Sequence, residues 1–136
     1  MSSALISLQT QILAALNADP VMVGIVGTNA VFDHPPKGAT LPFVVITQHE
    51  TVTRDADMAP ALDHKVTLTA WTDTTSRATA AAIEDVLKTA ILGASLSDAE
   101  HHITLQRHLR SQTGIESKTG RARAIVQFQF HSEPTL

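Results

Sequence analysis

The 136 residues predict an α+β domain: a mostly antiparallel β-sheet with two main helices packed on one face. Three observations carry that expectation. Apolar residues recur at helical spacing in two segments, Leu5–Leu16 and Ala80–Ile91. Apolar and polar residues alternate in Leu62–Ala70 and again in Ala122–Phe130. Between these segments lie short clusters of Gly, Pro, Asp and Ser that read as turns. The length suits a single domain over residues 1–136, and a chain of this size can bury roughly two thirds of its unfolded surface.

Leu5, Leu8, Ile12, Leu13 and Leu16 form the stripe of the first helix, with Ser2 and Ser3 as possible caps and Asn17 and Pro20 as its end. DPVMVGIVG then reads as a short helical turn, with Asp19 capping, Pro20 at the first helical position and Gly27 as the stop. Ala30–Asp33 predicts a short strand and Pro42–Glu50 a longer one. Pro35, Pro36 and Gly38 between them cannot continue a ladder and predict a surface turn. The polar segment 51–60 predicts a long, mobile loop.

The next strand sets Leu62, His64, Val66, Leu68 and Ala70 on one face and Asp63, Lys65, Thr67, Thr69 and Trp71 on the other. Ser76–Leu92 is the strongest helix, with Ala80, Ile83, Val86, Leu87, Ala90 and Ile91 as its buried stripe and Gly93 as its stop. Two long strands joined by the turn ESKTG then predict an antiparallel hairpin. In the first, Ile103, Leu105, Arg107 and Leu109 share one parity and Thr104, Gln106, His108 and Arg110 the other, with Gln106 on the face away from the helices. In the second, Ala122, Ala124, Val126, Phe128 and Phe130 point inward.

Composition narrows the function. The net charge of −3 argues against general nucleic-acid binding, which needs excess positive charge for phosphates. No cysteine is present, which removes disulfides and thiol chemistry. The longest apolar run, Val21–Val26, falls far short of a membrane span, and no Lys or Arg precedes Lys37 to open a signal or transit peptide. A soluble protein made in the cytoplasm is expected.

Reaction chemistry is sparse. There is no metal-ligand motif among the seven histidines: His102 and His108 share a predicted strand face, but roughly 20 Å separates residues six apart on a strand. His101 and His102 point to opposite faces. No Gly-x-Ser-x-Gly, dinucleotide fingerprint or P-loop occurs. Asp55 and Asp57 lie beside Arg54 without a neighbouring base, which suits solvated loop charges better than an acid/base pair. No catalytic residue, cofactor or metal is expected.

One asymmetry stands out. Arg107, Arg110, Lys118, Arg121 and Arg123, half of the ten basic residues, fall within the last hairpin, interrupted by Glu116 alone. They read either as a solvated outer face or as an electropositive surface for an acidic subunit or for passing DNA. Arg107 shares its parity with three apolar residues, so it must reach solvent or find a carboxylate.

The order of segments carries a resemblance. LQTQILAALNADP, VMVGIVG and AVFDHPPKGATLPFVVI, followed by HKVTLTAWTD and SRATAAAIEDVLKTAI, are similar to the phage tail-completion, or tail-terminator, family of siphophages and bacterial gene transfer agents. The likeness covers roughly two thirds of the chain; after Gly93 only the strand–turn–strand outline matches. It implies a structural protein with no catalytic residue. It further implies a homo-hexameric ring on the head-proximal end of the tail, which stops tube-protein polymerisation and meets the head–tail connector. DNA would pass through such a ring without sequence-specific binding. Candidate contacts with other chains are Trp71, the loop residues Arg54, Asp55, Asp57 and Met58, and the basic residues Arg110, Lys118, Arg121 and Arg123. Trp71 suits an interface anchor or a core Trp of a two-sided sheet equally. The alternatives are a head–tail connector or stopper ring and, from another class, a small-molecule-binding or hydrolase domain using Asp55 and Asp57 with His49 or His64.

Overall fold

The computed structural model describes residues 3–54 and 61–135. Helix α1 runs Ala4–Ala18, α2 Pro20–Val26 and α3 Arg77–Gly93. The strands are β1 Val31–Phe32, β2 Phe43–Thr53, β3 Leu62–Trp71, β4 His101–Ile115 and β5 Ala122–Pro134. They form one sheet in the order β1-β2-β3-β5-β4, antiparallel throughout except for β1 against β2. The predicted class is therefore the observed one.

The helices bury one face of the sheet. Leu8, Ile12 and Leu16 of α1, and Ala80, Ile83, Leu87 and Ile91 of α3, pack with Val66, Leu68 and Ala70 of β3 and the even-numbered residues Ala122–Phe130 of β5. Strand alternation accounts for β5: its even positions are buried and its odd ones half-exposed, as predicted. Asp19 caps α2 by accepting hydrogen bonds from the Val21 and Met22 amides at 2.9 and 3.0 Å, while Pro20 occupies a first-turn position that has no need of an N–H. Asp19→Ala should lower stability by about 1 kcal/mol, read as a shift in the urea midpoint with the slope unchanged.

Asn17 lies inside α1 rather than ending it. Its side-chain amide donates to the Val31 carbonyl at 3.1 Å, and its side-chain oxygen accepts from the Val31 amide at 3.2 Å. The side chain thereby imitates a neighbouring strand and holds the two-residue β1 in place.

Other expectations change as well. The segment 51–60 is not loop from its start: β2 continues to Thr53, opposite Leu62, and the Arg54 amide donates to the Ala61 carbonyl. Of the loop candidates, Asp55, Asp57 and Met58 lie outside the described residues.

The face assignment of β4 also changes. Its ladder with β5 shifts between Ile103 and Leu105 and again between His108 and Arg110. An extra residue in one strand reverses the parity beyond it. Ile103 stays on the helix side, whereas Leu105, Arg107 and Leu109 turn to the open face. Leu105 and Leu109 are 39% and 40% exposed, and Arg107 reaches solvent with its guanidinium on Gln129 at 2.7 Å. His102 and His108, expected on one face, lie opposite Glu133 and Phe128 on different ones.

The same shift takes Gln106 away from the open face. Its amide reaches under α3 and donates to the carbonyls of Ile91 and Ala94 at 2.8 and 3.0 Å. It thus satisfies carbonyls that the helix end leaves without intrahelical partners.

Candidate functional site

No helix among the described residues is long and apolar enough to cross a membrane, and no cluster of three or more metal-ligating side chains forms there. The polar groups with the strongest environments are wired into the fold. Gln9 donates from its amide to Nδ1 of His49 at 3.0 Å, which leaves the His49 proton on Nε2. His49 then donates to Nδ1 of His64 at 2.7 Å, and His64 donates from Nε2 to the Ser132 hydroxyl at 2.6 Å. Both rings are neutral in this chain. His64 is buried and His49 half-buried between α1 and the sheet. Burial pulls each ring pKa from about 6.5 down to about 4, with the neighbouring His49 adding to the effect on His64. Among the described residues no carboxylate completes a nucleophilic relay: Ser132 accepts at the end of the chain and has no base there to take its proton.

A second constellation has catalytic residue types in a non-catalytic order. His108 Nε2 donates to the Ser111 hydroxyl at 2.7 Å, and that hydroxyl donates to Glu84 at 2.6 Å. Glu84 also pairs with Lys88 at 3.1 Å. The serine stands between imidazole and carboxylate, so the imidazole is neither base to the hydroxyl nor oriented by the acid. What it does is tie β4 to α3.

The open face of the sheet holds the recognition candidates and divides them between two ends. At one end Phe43 lies opposite Trp71, and Trp71 opposite Arg123. The Arg123 guanidinium stands 5.6 Å from the centre of the half-buried Trp71 ring, a cation–π distance. Leu41, Phe43, Trp71, Glu116, Thr119 and Arg121 are among the residues lining a groove of about 320 Å³ beside it. Lys118, exposed in the β4–β5 turn, sits next to Thr119 of that lining. Trp71, Lys118, Arg121 and Arg123 are thus brought to one corner.

At the other end Arg54 pairs with Asp63 at 2.9 Å, and Asp63 also accepts from His131 at 2.8 Å. The His131 hydrogen bond, with Arg54 assisting against the opposing pull of burial, holds the Asp63 carboxyl below its usual pKa. Arg54 belongs to this network and lies away from the Trp71 corner. Arg110 sits between the ends on β4, exposed and, among the described residues, bonded only to Gln112 at 3.0 Å.

Sequence reasoning missed the histidine chain, whose members are 15 and 68 residues apart. One signal was present: His64 occupies the apolar face of β3 and needs a buried polar partner.

No curated protein matches the sequence. Among solved structures, a chain of the virion of a native gene transfer agent (GTA) particle superposes with a TM-score of 0.86 at 25% identity, covering 97% of this chain and 99% of that chain. The family described as tail completion protein gp17 matches residues 10–133, every element save the first turns of α1 and the last residue of β5. The chain belongs to the tail completion protein family, the structural proteins of phage-type tails.

Proposed function

We propose that this chain is the subunit of a tail terminator ring. Six copies close on the head-proximal end of the tail tube, halt polymerisation of the tube protein and offer a surface to the head–tail connector. DNA passes through the ring without sequence-specific contact. The observation that carries the reading is near-complete superposition on a chain of a GTA virion, together with family membership. The described surface supports it: histidines and serines with catalytic side chains serve as structural bonds, while Trp71, Arg121 and Arg123 form a corner suited to anchoring another protein. No catalytic step is assigned to the chain.

The test is assembly. Light scattering on the purified chain is expected to give a six-subunit mass at high concentration. Tube protein polymerised with the chain is expected to yield capped tubes of closed length, and without it overlong ones. Arg121→Glu with Arg123→Glu, at the Trp71 corner, should block joining of heads to tails at low salt while leaving the subunit folded, because charge steering weakens with ionic strength. Normal joining by the doubly substituted chain would reduce the basic hairpin to a solvated face. Binding to the connector with no effect on tube length would place the ring on the head side as a stopper.

A further inference from the structure

The sheet has two unequal edges. At one, β4 offers a strand of 15 residues with no neighbour beyond it among the described residues. At the other, β1 covers only Val44 and Val45 of β2, so the outer edge of β2 from Thr47 to Thr53 has no strand partner among the described residues. Unpaired N–H and C=O groups on a long edge are a template for another strand.

The two edges are complementary in charge and in apolar surface. On the open face of β4, Arg107 and Arg110 bond only to glutamines and have no carboxylate partner among the described residues. On the same face of β2, Glu50 is held among the described residues by Gln48 alone; Lys65 lies directly opposite in the ladder yet forms no ion pair with it. Leu105 and Leu109 on β4 are matched on β2 by Val52, which is 50% exposed. Joining one edge to the other in a continuous sheet would keep all these side chains on one face. Glu50 would then meet the arginines, and Val52 the leucines.

We propose that the β4 edge of one copy pairs with the Thr47–Thr53 edge of β2 in the next copy, so that the sheets run on from subunit to subunit. The two edges are different surfaces, so the contact is head-to-tail, the kind that closes into rings larger than two. The bulges near Thr104 and Leu109 break the ladder into short regular stretches and so discourage β4 from pairing with strands of other register. The proposal rests on the ring reading and specifies the contact that builds it.

Self-association of the full chain tests it, with folding followed by circular dichroism. Thr113 lies opposite Ala124 in a pair that does not exchange hydrogen bonds: the adjacent Ala122 bonds towards residues 72–74, and Glu116 donates to Arg121. The Thr113 N–H therefore faces the open edge, and Thr113→Pro removes an edge donor without touching the ladder. This variant, Glu50→Lys, and Arg107→Glu with Arg110→Glu should each weaken self-association at least tenfold. Combining Glu50→Lys with Arg107→Glu and Arg110→Glu should restore it. Mixing Thr113→Pro with Glu50→Lys should give one-to-one pairs that grow no further, since each copy retains one intact edge. Amides of β4 facing the open edge should gain hydrogen-exchange protection on assembly. If the wild-type chain assembles and the folded variants assemble equally well, edge pairing is wrong and the ring stands. A wild-type chain that stays monomeric at high concentration removes both.

Discussion

Phe128→Ala is expected to cost about 3–5 kcal/mol, the largest loss from any single substitution considered. Phe128 is completely buried at the centre of β5, with its ring 6.2 Å from that of Phe130 and 5.7 Å from that of His108. It stands opposite Val66 on β3 and His108 on β4, so its removal opens a cavity where three strands and α3 meet. The backbone of a central strand, bonded on both sides, cannot move in to fill such a void, which places the effect towards the upper part of the range. Chemical denaturation should show a lower midpoint. Thermal unfolding of a domain this size should shift downward by on the order of 10 °C or more. A loss below 1 kcal/mol would mean that Phe128 is not packed as described.

The second large effect is acid sensitivity in an unusual window. His49 and His64 bind protons at about pH 4 in the folded chain but at about 6.5 when unfolded. Between those values the unfolded chain holds more protons than the folded one, so stability falls as pH falls. The stabilisation is fully present above about pH 6.5 and is lost progressively down to about pH 4. Each histidine contributes at most about 1.4 kcal/mol per pH unit, and less for His49, which solvent partly reaches. Ordinary carboxylates titrate at the acid end of this window or below it, so a decline already under way at pH 6 is the histidine signature. Urea midpoints taken from pH 7.5 to 4.5 should show it. The slope between pH 6.5 and 5 should flatten in a His49→Gln and His64→Gln double variant; an unchanged slope would assign it to other groups.

Much of the fold was legible because its signals are local. The alternation of β5 and the stripe of α3 are repeated over enough residues that a single exception does not obscure the period. The class follows from their order, and the tail-completion resemblance entered through the same segments that the family match covers. What escaped has a common physical cause. A parity reading treats a strand as an unbroken pleat, and β4 breaks it twice. Leu105, Gln106, Arg107 and the pairing of His102 with His108 were all misplaced by that one assumption. Arg107 then needs no buried carboxylate, because the bulge turns it to solvent.

The corner around Trp71 was legible only in pieces. Trp71 and Arg123 were each singled out, but their stacking depends on the register between strands about 50 residues apart, which no local pattern encodes. Arg54 was grouped with Trp71 as a contact candidate, yet the β2–β3 ladder sets them at opposite ends. The histidine chain is the clearest case of information that exists only in three dimensions. Each of its four members is an unremarkable polar residue until α1, β2, β3 and β5 converge.

The position of β5 bears on how the protein is made. The last strand of the sequence is not at the margin of the sheet but between β3 and β4, and it supplies Phe128 and Phe130 to the core. During synthesis, β1 to β3 and the helices can emerge from the ribosome and begin to associate. β4 has no place to pair until residues 122–134 have also emerged. A nascent or prematurely terminated chain thus lacks the strand that joins the two halves of the sheet. A fragment that ends before β5 therefore cannot hold the β4 and β2 edges in their native relation, because the strand that fixes one against the other is missing.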